Sequence, residues 1–150
     1  MELKIIPVVQ VLFAIILMIT FSKLWPIFSF NWPAHLIVAL LLLVLSVGVG
    51  ISAIVSFKKH KTTVNPTKPE TSSTVVSSGI YAISRNPMYL AMLIALVSLT
   101  YYLQHLMCLP VILIFMSYMT RYQIIPEEQM LTKIFSQQYK DYQKKVRRWL

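Results

Sequence analysis

Residues 34–57 read AHLIVALLLLVLSVGVGISAIVSF, an apolar run from Ala34 to Phe57 broken by nothing stronger than Ser46, Ser52 and Ser56. At 1.5 Å of rise per residue, a helix of this length crosses the roughly 30 Å hydrocarbon core of a bilayer. Lipid offers no partner to backbone N–H and C=O groups, so a helix is the form such a run takes. A second run of the same kind extends from about Ile5 to Leu24. Trp25, Phe28 and Trp32 bracket the connection between the two, where an interfacial aromatic belt lies. These two spans decide the fold class.

The remainder of the chain agrees with them. Of its 150 residues, 57% are hydrophobic and only 13% charged, too little polar surface to cover a water-soluble domain. Two shorter apolar runs, about Pro87–Leu103 and Leu106–Tyr122, are parted by Gln104-His105 and make a third and a fourth span. From Pro126 to Leu150 the pattern changes. Met130, Leu131, Ile134, Phe135, Tyr139 and Tyr142 recur at helical spacing with Lys133, Lys140, Lys144 and Lys145 between them, which predicts an amphipathic surface helix. The polar segment 61–78, rich in Pro, Ser and Thr, reads as a loop. The expectation is an all-α integral membrane protein of one domain over residues 1–150. It has about four transmembrane helices, a C-terminal amphipathic cytoplasmic helix and no Rossmann domain.

Charge orients the spans. With four crossings, all of the 14 Lys and Arg residues except Lys23 fall on one side. Lys4 precedes the first span, while Lys58, Lys59, Lys61, Lys68 and Arg85 lie in the second loop. The others follow from Arg121 onward. Both termini and the long loop are therefore expected to be cytoplasmic. The stretch Phe21-Ser22-Lys23-Leu24-Trp25 supplies no signal-cleavage site, so the first helix is expected to be retained. A net charge of +9 carried beside apolar runs points to anionic lipid headgroups as partners, with no nucleic acid. The oligomeric state is left open.

Several weaker signals have simpler explanations. Gly48-Val49-Gly50-Ile51-Ser52-Ala53 resembles a dinucleotide-binding pattern by letter, but it sits in a span with no preceding strand, and small residues for close helix packing explain it better. His35, His60 and His105 are too dispersed for a metal site, so none is expected. Cys108, the only cysteine, permits no internal disulfide and reads as a small buried hydrophobe.

Two blocks at the cytoplasmic interface carry more. In Ser77-Ser78-Gly79-Ile80-Tyr81-Ala82-Ile83-Ser84-Arg85-Asn86-Pro87-Met88-Tyr89, Gly79 permits a tight turn, and Asn86-Pro87 suits an N-cap and first position of the third span. Read alone, this block is either a capped helix with a snorkelling Arg85 and belt tyrosines, or a ligand site with aromatic faces and a helix N-terminus. The second block is Arg121-Tyr122-Gln123-Ile124-Ile125-Pro126-Glu127-Glu128, whose glutamates suit the positive end of a helix dipole. Together the blocks offer opposite charges and aromatic surface, features that a zwitterionic cofactor with an adenine ring would use.

In their order and spacing these residues resemble the isoprenylcysteine carboxyl methyltransferase and phospholipid methyltransferase superfamily, and most closely its short bacterial branch. The resemblance rests on Thr62-Thr63-Val64-Asn65-Pro66, Gly79-Ile80-Tyr81, Arg85-Asn86-Pro87-Met88-Tyr89-Leu90 and Pro126-Glu127-Glu128-Gln129-Met130-Leu131. Phe135, Tyr139, Tyr142 and Val146-Arg147-Arg148-Trp149-Leu150 complete it, over about residues 58–150. It implies an S-adenosylmethionine-dependent methyltransferase of the bacterial inner membrane that acts on a lipophilic or lipid acceptor: an isoprenylcysteine-like carboxylate, a phospholipid amine or a similar small lipid. Carried over by position, Val75, Val76, Gly79, Tyr81, Arg85, Asn86, Pro87, Tyr89 and Glu127 would bind the cofactor. Arg121 would orient substrate or cofactor, and Glu128 is the candidate base for an amine acceptor. The chain departs from the superfamily pattern at Ser136, where glycine is usual. Asn86 and Gln123 stand where the eukaryotic carboxyl methyltransferases have histidine and arginine. A sterol-reductase-type membrane reductase and a non-enzymatic membrane scaffold are the alternative readings.

Overall fold

The computed structural model describes residues 6–59 and 75–150. Lys4, Ile5, His60, Lys61, Lys68, the Thr62–Pro66 motif and most of the polar loop lie outside the described residues. Five helices carry the fold: α1 (Pro7–Leu24), α2 (His35–Lys59), α3 (Pro87–Leu103), α4 (Cys108–Met119) and α5 (Ile125–Lys145). The described residues form no strand, only one isolated bridge between Ser29 and His105. Three helical stretches are long and apolar enough to cross a membrane, and α3 is a fourth, shorter one.

Helix α2 packs along α3, and α1 packs against α3 and α4. Two hydroxyls fix the antiparallel register of the first pair: Ser46 Oγ donates to Ala91 O at 2.8 Å, and Ser98 Oγ donates to Ala39 O at 2.7 Å. In an apolar surrounding, a serine that bonds the facing backbone satisfies itself and joins the helices. The main core draws Ala14 and Met18 from α1, Tyr89 and Leu96 from α3, and Val111, Phe115 and Met119 from α4. The outer faces of α1 and α2 remain apolar and exposed, Phe13, Ile37 and Leu41 among them, as a lipid-facing surface requires.

The small residues of α2 are used unequally. A Cβ at Gly50 would lie 3.6 Å from Ala91 Cβ, whereas one at Gly48 would meet nothing within 4 Å. The expected close packing therefore belongs to Gly50 alone, because Gly48 lies on the open face.

At the end of the bundle away from the basic loop, the α1–α2 connection clasps the α3–α4 turn. Phe30 N donates to Gln104 O, Leu106 N to Phe28 O, and the buried His105 ring bonds Trp25 O through Nε2 at 2.9 Å. Gln104 adopts a left-handed conformation that ends α3.

Two boundaries differ from expectation. Pro126 does not separate a fourth span from the tail, because α4, the turn after it and α5 run on through the proline without a break as far as a kink at Ser136, within a helical rod Cys108–Lys145 of 38 residues. Thr120–Ile124 widens into a π-helical turn immediately before the proline. A proline inside a regular α-helix clashes with the carbonyl four residues back and lacks its N–H, and the wider turn accommodates both. Only the apolar first half of the rod fits a hydrocarbon core, and from Pro126 onward the rod is polar. The tail helix also ends early, at Lys145. Val146 is extended, and the last residues serve as a strap over the loop before α3.

Candidate active site

At the basic end, the loop and the tail meet. Val75 packs with Tyr139, Tyr142 and Val146, while Val76 and Tyr81 pack on Ala53 of α2. The apolar stripe of α5 is thus covered largely by the chain's own loop rather than left for lipid. Tyr142 Oη donates to Tyr81 O at 2.7 Å, and the Tyr81 ring stands edge-on to Phe57 with centroids 5.1 Å apart. Gly79, with φ +63°, makes the turn into a short 3₁₀ segment and passes close to α2, where a Cβ would lie 3.3 Å from Ser56 Oγ. Any other residue would be strained there.

Glu127 is the focus. Its Oε1 accepts hydrogen bonds from Tyr89 Oη at 2.5 Å and from Gln123 Nε2 at 2.5 Å. Tyr89 stands one turn into α3, Gln123 lies in the π-helical turn, and Glu127 opens α5, so three elements converge on one oxygen atom. Burial pushes the Glu127 carboxyl up to about 7; the Tyr89 and Gln123 hydrogen bonds oppose the rise, and the neighbouring Glu128 adds to it. The result is a carboxylate held in place and poised near neutrality. Tyr81 is pushed above the ordinary phenol range by burial and then by Tyr142 and Glu127, so it remains a neutral hydroxyl.

Glu128 is used differently. Arg85 Nη2 lies 3.0 Å from its Oε1, and Arg148 contacts both oxygens, at 3.1 Å through Nε and 2.8 Å through Nη2. The Arg85 and Glu128 side chains are each 9% exposed. The Arg85 Nε is buried without a hydrogen-bond partner among the described residues. Hydrogen bonds to Glu128 raise the Arg148 guanidinium above its usual range. With guanidinium groups on both oxygens, Glu128 is an ion-pair centre rather than the free base expected for an amine acceptor.

The strap of residues 146–150 completes the site. Arg85 N donates to Arg147 O at 3.0 Å, Asn86 Nδ2 donates to Arg148 O at 2.9 Å, and Trp149 Nε1 donates to Thr120 Oγ1 at 3.2 Å. Asn86 occupies the N-cap position of α3, with Pro87 following at N1, but it makes no side-chain cap and instead donates through Nδ2 to the strap.

Of the residues expected at the site, Val75, Val76, Gly79, Tyr81, Arg85, Asn86, Pro87, Tyr89, Glu127 and Glu128 gather at this end. The two valines face packed side chains. Arg121 joins neither glutamate. It is exposed on α4's continuation, with its guanidinium carbon 5.8 Å from the Tyr122 ring centroid. Gln123 and Arg148 were not expected as site residues. The four-residue spacing of Gln123 and Glu127 is a readable helical pair. Arg148 lies in a basic cluster that charge alone explains, so nothing in its local sequence marks the ion pair.

No curated protein and no solved structure matches the chain. The family model for phospholipid methyltransferase matches residues 34–138, from the start of α2 to the middle of α5, and so includes Tyr89, Gln123, Glu127 and Glu128. By that match the chain belongs to the phospholipid methyltransferase family.

Proposed function

We propose that this methyltransferase transfers the methyl group of S-adenosylmethionine to a lipid acceptor that reaches the site from the bilayer, on the cytoplasmic side. The observation that carries the reading is the Glu127 carboxylate, half-buried at the end of a membrane bundle and held by Tyr89 and Gln123. The chain's residues suit that cofactor. A fixed, half-buried carboxylate attracts a cationic ligand end, and the two guanidinium groups on Glu128 leave one positive charge beyond what that carboxylate offsets, which attracts an anionic one. An amino acid zwitterion has both. When bound, S-adenosylmethionine supplies an electrophilic methyl group on a cationic sulfonium.

The chain contributes placement. Tyr89 and Gln123 orient Glu127, while the Arg85–Glu128–Arg148 cluster fixes the turn before α3. Methyl transfer by in-line displacement needs alignment more than acid–base help, and positioning two reactants supplies much of the acceleration. Glu128 has no part as a base, since two guanidinium groups hold it. The family's name favours a phospholipid headgroup amine as the acceptor over the other lipophilic classes; its ammonium first loses a proton to water, and the neutral nitrogen then takes the methyl carbon as the carbon–sulfur bond breaks and S-adenosylhomocysteine leaves.

Incubation of the purified protein with methyl-labelled S-adenosylmethionine and a total lipid extract tests this reading. Label should enter the organic phase in one lipid class. S-adenosylmethionine should bind saturably, and Glu127→Ala or Tyr89→Ala should abolish that binding while helical content persists. Absence of saturable binding by the wild-type protein, in lipid bilayers as well as in detergent, overturns the reading.

A further inference from the structure

A groove of about 370 Å³ runs along the outer face of α4 and the π-helical turn, lined by Leu113, Ile114, Ser117, Tyr118, Arg121 and Tyr122. Its two ends differ in chemistry. Leu113 and Ile114 are 64% and 66% exposed and lie toward the middle of the span. At the other end the Tyr118 and Tyr122 rings meet at a tilt of 40° with centroids 4.6 Å apart, and Arg121 lies beside Tyr122. Arg121 ion-pairs with no carboxylate among the described residues. It precedes Glu127 by fewer than two helical turns, at the end of the rod where the charged residues begin. A cation flanked by tyrosines at the mouth of an apolar groove on a membrane helix has the polarity of an amphiphile, with headgroup at one end and chain at the other.

We infer that this groove is a binding site for an anionic phospholipid of the surrounding bilayer, with its phosphate on Arg121 and a fatty chain along Ile114 and Leu113. The inference is independent of the methyl-transfer reading, because no residue lining the groove bonds to Glu127 or Glu128 among the described residues. Charge complementarity selects the lipid. A zwitterionic headgroup brings a cation along with its phosphate, whereas an anionic one leaves the guanidinium's attraction unopposed.

Native mass spectrometry of the full chain, delipidated in a neutral detergent and titrated with phosphatidylglycerol or phosphatidylcholine, tests the site. One phosphatidylglycerol should be retained about fivefold more strongly than phosphatidylcholine, the factor expected for one basic residue near a headgroup. Arg121→Gln should bring the two lipids level, and Arg121→Lys should keep most of the preference. Ile114→Trp fills the groove from the apolar end and should weaken retention of both lipids without touching the charge. Lys144→Gln with Lys145→Gln, on the exposed tail, should leave the preference intact. Equal retention of the two lipids by the wild type overturns the inference. So does a preference that survives Arg121→Gln or that disappears with the tail lysines instead.

Discussion

Arg148 grips Glu128 by both carboxylate oxygens, at 3.1 Å and 2.8 Å, while Arg85 approaches Oε1 at 3.0 Å from the opposite side in sequence. A residue of the last five thus shares one carboxylate with the turn that begins α3. The pairing joins the loop, the tail helix and the strap at a single point. A buried carboxylate between two guanidiniums is costly to disturb, because removal of one partner leaves charge without compensation.

The two sides of this cluster should respond unequally to mutation. Glu128→Gln leaves Arg85 and Arg148 facing each other without a counter-charge and should destabilise the protein by about 3 kcal/mol. Arg148→Ala leaves Glu128 its Arg85 partner, and the arginine side chain is 36% exposed, so the loss should be nearer about 1 kcal/mol. Thermal unfolding in a fixed detergent ranks the variants. An Arg148→Ala loss equal to that of Glu128→Gln would show that Arg85 contributes nothing to the pair.

Glu127 should make cofactor binding depend on pH near neutrality. Below its ordinary value of 4.5 the carboxyl is protonated in the folded and unfolded chain alike; between 4.5 and about 7 the unfolded chain releases the proton and the folded chain keeps it. Its contribution to stability therefore falls as pH rises through that window. Ligand binding runs the other way. A cationic ligand prefers the ionised carboxylate, so affinity for S-adenosylmethionine should rise as pH increases through about 7 and then level off. Isothermal titration across that range should show the rise in wild type. Glu127→Gln should bind more weakly with a flat profile, and a profile unchanged by that substitution would remove Glu127 from the ligand's surroundings.

Much of this site is legible in the sequence, and what is not legible has a physical reason. The apolar runs give the spans because lipid forces helices, and the one-sided distribution of Lys and Arg brings the Tyr81 loop and the Glu127 tail to the same end. The Tyr142–Tyr81 and Arg85–Glu128 contacts show that meeting directly. The continuity of the rod past Pro126 is hidden, because proline signals a break and only the tertiary setting reveals a π-helical turn that absorbs it. The strap is hidden for a different reason. Its bonds to Arg85 and Asn86 use the backbone carbonyls of Arg147 and Arg148, which carry no side-chain signature.

Ser136 shows a sequence departure acquiring a structural meaning. Within α5 it adopts φ 43°, ψ −115°, a kink in a region that glycine occupies far more readily than serine. Ser136→Gly should therefore stabilise the protein by about 1 kcal/mol and raise the unfolding midpoint by a few degrees. Ser136→Val, with a branched Cβ, should lower it. Thermal scans of the two variants check both signs, and a Gly variant less stable than wild type would mean that Ser136 straightens into the helix in solution.

Gly48 and Gly50 offer the sharpest test of how α2 is used. Both lie in a letter pattern that suggests a nucleotide loop, yet they occupy a membrane helix and face in different directions. Gly50 abuts Ala91 of α3 at a contact that a methyl group fits without strain, while Gly48 faces open space on the lipid side. Gly50→Ala should be tolerated, since it removes the helix penalty of glycine at no steric cost. Gly50→Leu should force α2 away from α3, strain the Ser46–Ala91 hydrogen bond and cost about 1–3 kcal/mol. Gly48→Leu should leave stability unchanged or improve it, because the new side chain enters lipid. A nucleotide-binding loop would make both positions intolerant and would couple them to ligand affinity. Thermal unfolding of Gly48→Leu and Gly50→Leu in the same detergent separates the two accounts, and a large loss at Gly48 would place a further protein surface against that face.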